Sequence, residues 1–205
     1  TPAALAGSDL ARIQDLHVEA ALRAVAAGFD LVTFHCGHGA SLFTHFLIPH
    51  FNTRTDEYNG SLENRARFAR DTMTKVRSAV GDRAAVGLRF GVDTLDGPLG
   101  LGDRGIRHDG DAAAFMQHMD DLVDYWDLVI GASWDPDTPS SRQARENHEA
   151  PFTGDMKQYT TKPVVNVGRF NGPDTMATAV RSGQTDFIGA ARAAISDPFL
   201  PAKIR

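Results

Sequence analysis

A single cysteine, Cys36, stands among the 205 residues of this chain. One thiol cannot close a disulfide within the chain, and it cannot supply a four-cysteine zinc or iron–sulfur site. Positive charge is also scarce: 21 Lys and Arg face 26 Asp and Glu, a formal net charge of −5. A general nucleic-acid binder or a protein that docks on anionic membrane needs a basic face, so neither class of partner is expected. No run of roughly 18 apolar residues occurs, so no membrane span is expected. The opening stretch TPAALAGSDLAR has no apolar signal core and no initiator Met. The expectation is a cytoplasmic protein of which this chain is a piece.

What is present suits a packed α/β fold. Hydrophobic residues make up 42% and charged residues 23%, enough for a buried core. Ser8 can cap a first helix, with Asp9 in its first turn and Gly28 at its end. Residues 29–35 (FDLVTFH) read as a buried strand. A second helix starts at Ser61, and Leu62, Ala66, Ala69, Met73, Val76 and Val80 make one apolar stripe closed by Gly81. The strand 84–90 follows. Further along, the pattern predicts a helix over 109–124, a strand over 127–131, a helix within 138–159 and a strand over 163–167. The rest is a short helix from Pro173 to Arg181, a strand over 185–190, and a final helix whose start is flanked by Pro198 and Pro201. Such alternation means parallel strands with crossover helices, buried on both faces. A doubly wound sheet and a (β/α)8 barrel both fit. No Gly-x-Gly-x-x-Gly turn follows a strand, which weakens the first; a barrel needs three strands beyond the five visible.

In parallel α/β folds the chemistry collects at the C-terminal strand ends. His35 and His38 end the first strand as H-x-x-H. Arg89 closes the second, where either a core carboxylate or an anionic ligand would compensate it. The third runs toward Trp134 and Asp137, residues that also suit a core aromatic and a turn. Gly168-Arg169 ends the fourth and Gly189-Ala190-Ala191-Arg192 the fifth; small residues let backbone N–H groups approach an anion, and Arg192 adds a charge. Barrels bind phosphate after strands seven and eight, so the five strands would be the fourth to the eighth. Cys36 reads as a small apolar filler. A metal between the two histidines lacks a third ligand at recognisable spacing.

These residues carry a resemblance. Residues 29–38, 46–49 (FLIP) and above all 54–68 (RTDEYNGSLENRARF) resemble the old yellow enzyme family of FMN-dependent oxidoreductases, over nearly the whole chain. RFGVD (89–93), Trp134 to Asp137, Ser141-Arg142 and ISDPFLP (195–201) are most similar to its trimethylamine and dimethylamine dehydrogenase branch. The resemblance implies an eight-stranded barrel carrying FMN, of which residues 1–205 would be the C-terminal five-eighths, from about the third helix to the eighth strand. It matches Arg89 to the arginine beside the flavin pyrimidine end. It matches Gly168-Arg169 and Gly189-Ala190-Ala191-Arg192 to the phosphate segments, His35 and His38 to the substrate-facing pair, and Trp134 and Asp137 to the pocket wall and carboxylate.

Departures matter too. His35 stands where this branch usually has Tyr, and Ala40 stands where ene reductases often place a proton-donating Tyr. Asn59 replaces a usual Gly, and Asn tolerates a left-handed backbone. A 4Fe-4S cluster, where the full-length protein has one, would lie outside this chain. The implied reaction is oxidation of a small secondary or tertiary amine by hydride transfer to flavin, with the electron acceptor unassigned and homo-oligomerisation not excluded. The alternatives are an ene or 2,4-dienoyl reductase using NAD(P)H, a flavin-free phosphate-binding barrel lyase or isomerase, and a truncated barrel piece without activity of its own.

Overall fold

The computed structural model describes residues 5–39, 41–95, 101, 104–131 and 144–204. Five strands, β1 (Leu31–Cys36), β2 (Ala85–Asp93), β3 (Tyr125–Ile130), β4 (Val164–Asn166) and β5 (Phe187–Ile188), form one sheet. All are parallel and lie side by side in chain order. A doubly wound sheet reverses its order at a switch point, and this one never does. Right-handed crossovers running in one direction put their helices on one face. The chain is therefore an arc of a (β/α)8 barrel, with an outer, helix-covered face and an inner face.

The outer face is the core. Val86, Leu88, Phe90 and Val92 of β2 alternate into it, as do Trp126, Leu128 and Ile130 of β3. Against them lie α1 (Gly7–Ala26), α3 (Leu62–Val80) and α4 (Asp111–Met119). The stripe read in α3 faces inward: Ala66, Ala69, Met73, Val76 and Val80 are buried, and Leu62 is half-buried against the core. Ser61 caps this helix by accepting from the backbone N–H of Asn64, at 3.3 Å. Gly81 closes it at φ 58°, a left-handed value that favours glycine. Arg65, buried in the same helix, donates to the Leu47 carbonyl and pairs with Asp111 of α4 at 2.6 Å.

The inner face is built by register. Thr33, Gly87 and Tyr125 form one row, and His35, Arg89, Asp127 and Val165 the next. Tyr125 reaches across Gly87 to the Thr33 hydroxyl. A Cβ on Gly87 would stand 2.1 Å from the Tyr125 ring, so only glycine leaves room for this layer.

Several expectations need correction. Ala6, not Ser8, is the N-cap of α1, so the helix starts at Gly7, two residues earlier than a Ser8 cap would set it. β1 starts at Leu31 and runs to Cys36, and it is not buried on both faces: Phe29 is 62% and Leu31 48% exposed. The same holds for Phe187 of β5, which is 58% exposed. Both strands are sheet edges, so no neighbouring strand covers their inner faces. The helix expected over 109–124 runs from Asp111 to Met119 and tightens into a 3-10 turn at Asp120–Leu122. The one expected within 138–159 is α5 (Ala150–Thr153) with a 3-10 turn at Gly154–Tyr159; its first part lies outside the described residues. Asn59 is not left-handed. Gly60 takes that role at φ 97°, and Asn59 instead donates to the Arg54 carbonyl at 2.6 Å. Two short helices went unread, α2 (Leu42–Leu47) and α7 (Ala191–Ser196). The Pro173–Arg181 helix, α6, and the final helix, α8 (Leu200–Ile204), lie where expected.

Candidate active site

Strand direction puts five C-terminal ends on one rim, and most of the predicted polar residues gather there. A cavity of about 960 Å³ opens among them. Its walls come from separate strands: His38 after β1, Arg89 in β2, Gly168 to Phe170 after β4, and Gly189 to Arg192 from the turn after β5 into the start of α7.

Arg89 lies on the inner face and pairs with Asp127, its register neighbour, at 2.5 Å. Of the two readings the sequence allowed, the core carboxylate is there; the cavity adds that Arg89 also faces a ligand-sized space. Burial pushes the Asp127 carboxyl up despite the attraction of Arg89, and its Oδ1 has no hydrogen-bond partner.

His38 sits at φ 57°, a left-handed conformation, and lines the cavity. Its Nδ1 is 3.3 Å from the Gly131 carbonyl, which can only accept, so the proton is on Nδ1 and Nε2 keeps a lone pair. The His35 and His38 ring centroids are 5.7 Å apart. Burial first, and then the Arg89 charge, hold both imidazoles below the ordinary histidine range. Both are thus neutral at pH 7. His35, on the exposed inner face of β1, is beside the cavity lining but not among it.

The two glycine turns fit an anion. At Gly168 φ is 139°, and a Cβ there would press on the Glu149 backbone nitrogen at 3.4 Å. At Gly189 a Cβ would overlap Val167 at 2.5 Å. Arg169, at φ 59°, donates to the Ala144 carbonyl at 2.5 Å. Arg192 opens α7 on the opposite wall. Both glycine turns line the cavity with an arginine close by each, a lining that suits a phosphate group. Cys36 is wholly buried and its thiol is pushed far up by burial, so it takes no part. Trp134 and Asp137 lie outside the described residues.

Two residues escaped the sequence reading. Asp127 was legible only as the first residue of a strand; its place opposite Arg89 was hidden by the register shift between Gly91 and Asp93. Glu149 was not: it follows a segment without periodicity. It is fully buried, and its Oε2 accepts from the backbone N–H of Ile130 at 3.1 Å. Burial pushes its carboxyl up to about 8.

Comparison with known proteins gives a consistent picture. A sequence model described as the NADH:flavin oxidoreductase / NADH oxidase family matches residues 2–205. Dimethylamine dehydrogenase of Hyphomicrobium sp. (strain x) is 41% identical over 96% of this chain and 26% of its own length. Cinnamate reductase of Clostridium sporogenes is 33% identical over 91% of this chain and 29% of its own. The solved histamine dehydrogenase of Rhizobium sp. 4-9 superposes with a TM-score of 0.88 at 41% identity, covering 98% of this chain and 28% of that one. The chain thus spans between a quarter and a third of the length of these relatives.

Proposed function

This chain belongs to the NADH:flavin oxidoreductase / NADH oxidase family, and on that premise we propose that the complete protein is an FMN-dependent dehydrogenase of a small secondary or tertiary amine. The observation that carries the reading is the single cavity shared by Arg89, His38 and both glycine–arginine turns. The similarity to dimethylamine and histamine dehydrogenases supports the amine.

FMN, when bound, supplies the acceptor of a hydride from the carbon next to nitrogen. The substrate then leaves as an iminium, which water hydrolyses to an aldehyde and a smaller amine. In this reading Gly168, Arg169, Gly189, Ala190 and Arg192 hold the phosphate, by backbone N–H groups and charge. Arg89 offers a fixed positive charge at the ring-bearing end, with Asp127 as its counterion. His38 presents the Nε2 lone pair, able to take the proton that a substrate ammonium must lose before hydride can depart. His35 stands behind it. Trp134 offers an aromatic face to the nitrogen, and Asp137 a negative charge for the cation or for a protonated His38.

Asp137→Asn, in the complete protein, tests the amine assignment. It should lower kcat/KM for amines at least about tenfold, roughly 1.4 kcal/mol of transition-state stabilisation, with flavin content unchanged. An unchanged kcat/KM would remove Asp137 from the reaction. A second reading, alkene reduction, draws on the adjacent histidines, of which His35 could donate a hydrogen bond to a carbonyl oxygen and His38 could do so in its other tautomer, and on the cinnamate reductase similarity. Turnover of an enone with NAD(P)H, without reduction by any amine, would favour it.

A further inference from the structure

Glu149 is used by none of the steps above, yet it lines the same cavity as Arg89 and Arg169. Its side chain is wholly buried. One carboxyl oxygen accepts from Ile130; the other, Oε1, is buried with no hydrogen-bond partner. A buried carboxyl with an unpaired oxygen is costly, more so as a carboxylate than as an acid. Among the described residues, the positive charge acting on it is Arg89, which already pairs with Asp127. Two carboxylates around one guanidinium would leave a net negative charge in a site shaped for an anion, so one of them keeps its proton. Asp127 is in direct contact with Arg89, which leaves Glu149 as the acid. A neutral acid has an O–H to donate, and the described residues offer that proton no acceptor. An acceptor oxygen on a bound ligand would meet that proton.

We propose that Glu149 is held as a neutral carboxylic acid that donates a hydrogen bond to an acceptor oxygen of bound FMN, so that FMN binding is coupled to the proton on Glu149. The inference rests on the FMN reading of this cavity. When Glu149 ionises, the donor is lost and a negative charge faces an anionic ligand; binding weakens.

The other groups around the cavity leave a clear window for a test. Facing it are His38 from the turn after β1, Arg89 from β2, Arg169 from the turn after β4, Arg192 on α7 and Asp197 just beyond it, with Asp127 of β3 behind Arg89. Burial and the Arg89 charge hold the His38 imidazole below the ordinary histidine range, away from this window. The ligand phosphate, with a second pKa of about 6, is a dianion above pH 7.5. Among the described residues lining the cavity, Glu149 is the one whose carboxyl burial pushes up to about 8, inside the range of the test.

The test is FMN affinity of the flavin-stripped complete protein, by quenching of flavin fluorescence between pH 7 and 9. Wild type should bind about tenfold more weakly at pH 9 than at pH 7, the slope expected when the free site loses one proton that the bound form keeps. Glu149→Gln keeps a donor without a titrating charge, so it should bind within about twofold of wild type at pH 7 and show no fall to pH 9. A fall of equal size in Glu149→Gln, or a flat wild-type profile, would overturn the proposal. Calorimetry on wild type alone, in buffers of different ionisation enthalpy at pH 8, does not depend on the variant folding. It should register net proton uptake on FMN binding, and none would overturn the proposal. Wild type that binds no FMN at any pH would overturn the cofactor reading and this inference with it, whereas pH-independent binding would overturn the inference alone.

Discussion

At the residue scale the site is governed by one cation and two carboxyls. Arg89 answers Asp127 across the register, and Glu149 lies near with its carboxyl raised by burial. Asp127→Asn leaves the guanidinium without its counterion in a part-buried position. It should lower unfolding free energy by about 1–3 kcal/mol, measured by urea denaturation. Glu149 makes the opposite contribution. Its folded carboxyl is raised from 4.5 to about 8, so the folded state binds more protons than the unfolded one between those values. Stability contributed by this group is full below pH 4.5 and is lost as pH rises toward 8, by up to about 1.4 kcal/mol per pH unit. The difference in stability between wild type and Glu149→Gln should therefore shift toward the variant as pH rises from 5 to 8. A constant difference would place the Glu149 carboxyl at its ordinary pKa. Arg89 and the histidine pair were legible in the sequence because they end apolar runs. Glu149 was not, because its burial is imposed by a neighbouring strand end and leaves no periodic mark.

At the scale of elements, the long helices and the central strands followed from local rules. The α3 stripe, the Ser61 cap and the Gly81 stop are short-range devices, and each acts as read. The edges did not follow. β1 and β5 carry the same Val, Ile, Leu and Phe vocabulary as β2 and β3, but exposure depends on what lies alongside, which composition does not encode. The Asp120–Leu122 turn shows the limit of periodicity: the apolar spacing continues through Leu122 while the backbone tightens, with Trp126 Nε1 donating to Asp120 at 2.9 Å beside it. Inner-face layering makes a sharp prediction. Gly87→Val would drive a branched side chain into the Tyr125 ring and break its bond to Thr33. A loss of about 1–3 kcal/mol or more is expected by denaturant unfolding, against about 1 kcal/mol for removing the Ser61 cap with Ser61→Ala.

At the scale of the whole molecule, the arc exposes what a closed barrel would cover. Phe29 and Leu31 lie open at one edge of the sheet. At the other, Phe187 is exposed together with Ile195 (79%) and Phe199 (70%) of the neighbouring segment. Residues 1–205 made alone should self-associate, seen by light scattering, because unpaired strand edges flanked by apolar surface invite pairing. A monodisperse monomer would show that these faces are covered some other way. The parallel, sequential order of the strands was legible from the alternation of patterns. The curvature that brings β2, β4 and β5 around one cavity was not, since it arises from strand twist and packing summed over the sheet.

The central claim is that this cavity, in the complete protein, serves oxidation of an amine. The most direct measurement is anaerobic stopped-flow absorbance of the flavin on mixing with dimethylamine, trimethylamine and larger N-methyl amines. The account predicts saturable bleaching of the oxidised flavin by at least one of them, with release of an aldehyde and the demethylated amine. Flavin that no amine bleaches, in a protein that turns over an enone with NAD(P)H, would contradict it and assign His35 and His38 to a carbonyl site.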